Sequence, residues 1–264
     1  MATFKGPFNF NGCVGGFRGY WDSDAKKQII ATKKSKDKKQ NENSDRVLEL
    51  NNEFKGVTLW SKTLLHATTD IVYLRKGRLI GFLNRIAKQI QVMDLVGKRG
   101  YRKIESSKFN YPLKGFSFNK MYPFKDVFQV VPELSITEDR REVTLKLSDF
   151  RSASKFKWPK KVHYYRIFLL IIDLPDVEWF PSWERYYTAY ALKDFGTKTV
   201  VSDWNAVSGE PIDFQISAAF DDNQLPKEKS TVVVVMGLEF ASAIEHNTPY
   251  VLKGHGTAGI VDCI

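Results

Sequence analysis

The side chains able to do chemistry are few and scattered. His66, His163, His246 and His255 are separated by long stretches of chain. None stands in an HExxH, HxH or cysteine–histidine arrangement, the spacings that place two ligands on one metal ion. Cys13 and Cys263 lie near opposite ends, giving neither a disulfide framework nor a ligand pair. Reduced thiols are expected, the alternative being a bond that ties the termini together or links neighbouring subunits. Asp173, Asp176 and Glu178 follow an apolar run. They would make a paired-acid site if two of them faced a cleft with separated pKa values. Pro175 among them points instead to a solvated strand exit. Asp221 and Asp222 read as a polar turn. There is no G-x-S-x-G elbow and no S-x-x-K set. Residues 12–19, GCVGGFRG, are glycine-rich but lack the lysine and hydroxyl that hold nucleotide phosphate and metal, so a tightly turned strand is expected. The chain therefore reads as non-enzymatic, with no catalytic residue, metal ligand or cofactor site.

Charge is the stronger signal. The 264 residues carry a formal net charge of +10, which favours acidic partners: nucleic acid, an anionic surface or an acidic protein. Lys33, Lys34, Lys36, Lys38 and Lys39 form a basic arm, with Lys26 and Lys27 just before it. Such an arm can neutralise phosphates, with Tyr20 or Trp21 available for base stacking. The competing reading is a solvated loop whose charge keeps a neighbouring β-edge from aggregating.

These residues need elements to position them. Extended pieces at about 16–21 and 27–32 flank the turn-forming Asp22-Ser23-Asp24. A hairpin of that size is marginal alone and must lie on another surface. Ser44 or Asp45 can cap a helix. Val47, Leu50, Phe54, Val57, Ser61 and Leu64 then recur at helical steps, predicting a helix over 45–68. Leu79, Phe82, Leu83, Ile86, Ile90 and Met93 predict a second over 78–96, before Gly97 and Gly100. Residues 101–132, with Phe109, Phe116, Phe118, Phe124 and Phe128 among prolines, read as an extended connector pinned by aromatics.

After Pro132 the pattern turns to strands at 133–137, 142–148, 162–174, 185–193, 197–203, 212–218 and 230–241. YYRIFLLII (164–172) and TVVVVMGLEF (231–240) are apolar at nearly every position, so both faces of each should be covered, by the helical half or by another subunit. The expected fold is α+β: a helical N-terminal half with a β-hairpin, then an antiparallel immunoglobulin-like β-sandwich. The expected domains are 1–132 and 133–264.

The opening GCVGGFRGYW, followed by KKQIIATK and NNEFKGVTLWSK, resembles an uncharacterised family of Bacteroidota proteins. Those proteins open with a glycine-rich strand, continue through helices and end in immunoglobulin-like β structure. The resemblance covers the layout of most of the chain, but its specific residues are few: Gly12, Gly15, Gly16, Arg18 and the strand from Ile29 to Lys33. It implies no enzyme activity and transfers no catalytic residue.

The functional expectation is a structural or assembly protein, a subunit of a filament, phage-like particle or surface layer. Phe8, Phe10, Phe17, Tyr20 and Trp21 are its assembly residues, since so short a segment cannot bury them itself. Self-association or a protein partner is expected. The alternative is a nucleic-acid-binding protein using the lysine arm. The start, MATFKGPFNFNG, has no secretory pattern. No apolar run reaches the roughly 18 residues of a membrane span. The expectation is synthesis in the cytoplasm, with any export inside a particle.

Overall fold

A computed structural model of the chain describes residues 2–3, 10–22, 26–32, 45–158, 162–190, 195–245 and 248–264. The fold is α+β with mostly antiparallel sheets, and the chain forms two compact units, Met1–Leu48 and Glu49–Ile264. Every strand after residue 132 lies in the second unit, as do the helices apart from the opening turn of the first one.

The first unit is a four-stranded sheet of β1 (Ala2–Thr3), β2 (Gly12–Val14), β3 (Phe17–Asp22) and β4 (Lys27–Thr32), in the order β1-β4-β3-β2. β3 and β4 pair from Phe17↔Thr32 to Asp22↔Lys27. β2 joins β3 across Gly15-Gly16, where Gly15 has φ 55°. A two-residue hairpin loop needs a positive φ, which glycine takes without steric cost.

In the second unit, α1 (Asp45–Ala67) buries Val57, Trp60 and Leu64. Its buried stripe differs from the predicted one at the N-terminal end. Leu50 and Phe54 are exposed, while Glu53 and Gly56 face inward. Gly56 is there for closeness: a β-carbon would sit 2.8 Å from the Tyr186 ring. α2 (Ile80–Val92) buries Leu83, Ala87 and Ile90 and stops short of residue 96. The Asp94 carboxylate takes the amides of Val96 and Gly97, so the chain turns instead of continuing the helical ladder.

The connector follows, with α3 (Phe124–Val127) inside it. Phe118, Phe124 and Phe128 are buried. Then come β5 (Glu133–Ile136), β6 (Glu142–Phe150), α4 (Ser152–Lys155), β7 (Tyr164–Pro175), β8 (Val177–Phe180), β9 (Arg185–Thr188), β10 (Thr197–Val201), β11 (Asn205–Ala206), β12 (Ile212–Ala219), β13 (Ser230–Glu245) and β14 (Thr248–Cys263). The central sheet runs β10-β7-β13-β14, with β11 also on β7; a second sheet runs β12-β6-β5; β8 and β9 form a separate hairpin.

Alternation along β7 and β13 divides the core in two. Phe168, Leu170 and Ile172 pack with Val233, Val235 and the helical residues Trp60, Leu64, Leu83 and Ile90. Ile167, Leu169 and Ile171 pack with Val232, Val234, Met236 and residues of β6 and β12. Side chains along a strand point to opposite faces, so a continuous apolar run needs two covers. Here the chain supplies both, helices on one face and the β12-β6-β5 sheet on the other. These strands therefore give no argument for a second subunit.

β14 was not among the predicted strands. It pairs with β13 from Val233↔Cys263 to Glu245↔Thr248, and the connector bonds to its far edge through Gly115 N–Ile260 O (2.9 Å) and Phe118 N–Ala258 O (2.8 Å). Its glycines lower strand propensity but admit neighbours: a β-carbon at Gly256 would meet Leu74 at 2.3 Å, and one at Gly259 would meet Phe124 at 2.7 Å.

Candidate functional site

The assembly residues fall on a sheet whose geometry separates them. Val14 pairs with Phe17, and Phe17 and Trp21 are four apart on β3, so these three share one face of the small sheet. They are 63%, 54% and 51% exposed. Gly19 lies between Phe17 and Trp21 on that face. Its missing side chain makes room for Phe10: a β-carbon would come within 2.5 Å of the Phe10 carbonyl oxygen and 2.8 Å of its ring. The Gln28 side chain, across from Trp21, donates to the same carbonyl. Phe10 is thus half-buried against its own sheet, and Tyr20 projects from the opposite face. Phe17 and Trp21, with Val14, form the open apolar surface. Phe8 and Lys33, Lys34, Lys36, Lys38 and Lys39 lie outside the described residues.

The acids after the apolar strand differ from the solvated exit expected of them. Asp173 is 0% exposed and Asp176 2% exposed. Asp176 accepts from the Ser107 amide (2.9 Å), the Ser107 hydroxyl (2.5 Å) and the Ser106 hydroxyl (3.2 Å). The Tyr190 hydroxyl donates to Asp173 Oδ2 (2.5 Å). Thr231 Oγ1 donates to the Ser106 carbonyl (2.9 Å), and Trp60 Nε1 reaches the Ser106 hydroxyl (3.4 Å). Burial pushes both carboxyls above their ordinary range, against the hydroxyls that favour the charged forms. Raised acids can serve as proton donors, but these are closed off from solvent. What they do is join the 106–107 loop to the β7–β8 corner and the start of β13.

Glu53 on α1, also buried, is charge-paired instead. Lys88 bonds it, the Gly100 amide donates to it at 3.1 Å, and Arg102 lies at 4.0 Å. Burial raises its pKa, and these partners more than offset that, holding the carboxyl below its usual range. The group locks α1, α2 and the following loop together.

A cleft of about 630 Å³ is lined by Asn52, Lys55, Tyr101, Trp179, Pro181 and Glu184. Tyr101 and Trp179 meet at 4.8 Å between ring centres. Behind them Tyr186 packs on Trp179 and donates to the Gly100 carbonyl (3.2 Å). The cleft has aromatic walls and no nucleophile paired with a base.

The histidines lie far apart along the chain. His66 lies in the last turn of α1, and His163 sits just before β7 with a ring nitrogen 2.5 Å from the Ser242 carbonyl oxygen. His255 falls within β14 and His246 lies outside the described residues. Among the described residues no three His, Cys, Asp or Glu side chains group to hold a metal, and no helix is long and apolar enough to cross a membrane. Cys13 is exposed on β2 and Cys263 is buried at the end of β14; both are free thiols. No family model, curated protein or solved structure matches the chain.

Proposed function

We propose that the chain is a non-enzymatic structural or assembly protein, whose N-terminal sheet joins it to a second copy. The observation that carries this is the open face of Val14, Phe17 and Trp21 on a small sheet. Burying one large apolar side chain contributes about 1.5–3 kcal/mol. Two such faces packed together hold a contact that polar residues at those positions would not. A subunit of a filament, phage-like particle or surface layer fits this reading, with synthesis in the cytoplasm as the starting point. The immunoglobulin-like description of the two facing sheets, and the resemblance to the Bacteroidota family through Gly12, Gly15, Gly16 and Arg18, belong to the same proposal. The alternative, nucleic-acid binding through Lys33 to Lys39, draws its support from net charge and sequence.

Sedimentation velocity over a concentration series tests the proposal. The full chain is expected to associate, and Phe17→Ser/Trp21→Ser to remain monomeric with unchanged melting of the larger unit. A wild-type chain that stays monomeric throughout, or a double variant that associates equally well, defeats it. A salt-dependent shift on adding nucleic acid, lost on replacing the five arm lysines by glutamine, would favour the alternative.

A further inference from the structure

The cleft lined by α1, the Tyr101 loop and the β8–β9 hairpin has aromatic walls that the fold fixes in place. Trp179 packs on Tyr186 with ring centres 5.2 Å apart, and Tyr186 lies so close to α1 that a β-carbon on Gly56 would meet its ring at 2.8 Å. The Tyr186 hydroxyl donates to the Gly100 carbonyl (3.2 Å), one residue before Tyr101. The wall is therefore seated on buried structure, and a ligand meeting it loses little affinity to ordering the site. Tyr101 and Trp179 are tilted by 58° with centres 4.8 Å apart. They pack against each other and leave no slot for a flat ring inserted between them. What they offer is an angled apolar surface on which one face of a ring can rest.

Polar groups line the same cleft. Glu184 has φ 48° and ψ 40°, a left-handed conformation that glycine takes freely and glutamate adopts at a cost. Among the described residues its carboxylate has no hydrogen-bond or ion-pair partner. Strain of this kind clusters at functional sites. On α1, Lys55 Nζ donates to Asn52 Oδ1 (3.0 Å), which leaves the Asn52 amide hydrogens and two Nζ protons as donors. The lining thus joins an apolar wall to an acceptor and a set of donors, with one cation and one anion among its side chains. We propose that this cleft binds a neutral saccharide. A pyranose has an apolar C–H face to rest on Tyr101 and Trp179, and hydroxyls around its edge that both donate and accept. Glu184 accepts from them, and Lys55 and Asn52 donate to them. Charge selects this ligand over others: a phosphate would face the Glu184 carboxylate, and an organic cation the Lys55 ammonium. The inference uses only residues of the larger unit and is independent of the proposed contact between copies.

The test is a microarray of neutral, sialylated and sulfated glycans probed with the labelled full chain, followed by calorimetric titration of the best neutral binder. Binding to neutral glycans is expected, at one site per chain and little changed by added salt. Tyr101→Ala removes one of the two rings and Glu184→Gly removes the acceptor, and each should weaken binding by about tenfold. Glu184→Gly should melt no lower than the parent, since glycine suits the left-handed backbone, so its loss of binding is not a loss of fold. Retention confined to sialylated and sulfated glycans would show only the net charge of +10 at work and would overturn the proposal. So would an array on which no neutral glycan is bound, or Tyr101→Ala and Glu184→Gly variants that bind like the parent. Tighter binding of choline or adenosine monophosphate than of any neutral glycan would overturn it too, by assigning the cleft to another class of ligand.

Discussion

Leu170 and Ile172 in the central sheet are fully buried beneath the helices, and Leu169 and Ile171 are equally buried toward the β12-β6-β5 sheet. Phe17 and Trp21 in the N-terminal sheet, as apolar and as regularly alternating, are more than half exposed. Both regions obey the same period of two. They differ in what the chain has available to cover them: two further layers in Glu49–Ile264, and in Met1–Leu48 a sheet of short strands with the Phe10 segment laid across Gly19. The contrast separates two uses of apolar strands. In the large unit they hold the fold together. In the small unit they exceed what the fold uses, and the excess is the basis for proposing a contact between copies.

The largest effect that would sharpen this contrast is a core truncation. Leu170→Ala should cost about 2–5 kcal/mol, through lost burial and the cavity left behind. Chemical denaturation followed by circular dichroism reads it directly. Phe17→Ser/Trp21→Ser should leave the same transition within about 0.5 kcal/mol. Comparable losses from both would break the contrast, since the N-terminal face would then be helping to hold the larger unit.

The next effect lies inside the small unit. Gly19→Ala puts a β-carbon where the Phe10 carbonyl and ring now sit. Overpacking of this kind costs about 1–3 kcal/mol. Faster hydrogen exchange across residues 12–22, with 164–175 unchanged, is the expected result. Unchanged exchange would mean that Phe10 does not close over Gly19.

A smaller and opposite pair of effects concerns the buried acids. Asp173 and Asp176 have pKa values raised above the ordinary 3.8. The folded state therefore holds protons that the unfolded chain has released. Their contribution to stability falls as pH rises from about 4 through the raised values. Glu53 and Asp94 are lowered, so theirs is present above their ordinary values of 4.5 and 3.8 and is lost as pH falls through the lowered ones. Asp173→Asn should flatten the decline on the alkaline side of that window, and Glu53→Gln should remove part of the acid-side loss. Stability curves from urea unfolding at stepped pH give both. An unchanged slope in Asp173→Asn would mean that this carboxyl is ionised in the folded protein at the same pH as in the unfolded chain.

The comparison also shows which parts of the molecule were legible in sequence. β7 and β13 were, because long apolar runs admit few other structures at that length. The helices were, through their three- and four-residue steps, although the inward edge of α1 was misplaced at Leu50 and Phe54. There Glu53 goes inward to meet Lys88 and the Gly100 amide, partners more than 30 residues away. β14 was hidden by Gly256 and Gly259, whose value lies in close packing that no local propensity records. Asp173 and Asp176 read as solvated because charge beside proline usually is. Ser107, about 70 positions before Asp176, supplies the hydrogen bonds that make burial tolerable, and nothing in the local sequence announces it. The aromatic–glycine alternation at the N-terminus was legible as two extended strands, which the structure extends to a four-stranded sheet. Which aromatics stay open was not, because that depends on Gly19 admitting Phe10.

Photocrosslinking from position 21 tests the central claim most directly. With p-benzoylphenylalanine in place of Trp21, irradiation is expected to yield a covalent dimer whose yield rises with protein concentration. Its adduct should map to residues 12–22 of the second copy. Adducts confined to the same chain, or a dimer whose partner site lies outside the N-terminal sheet, would contradict the account.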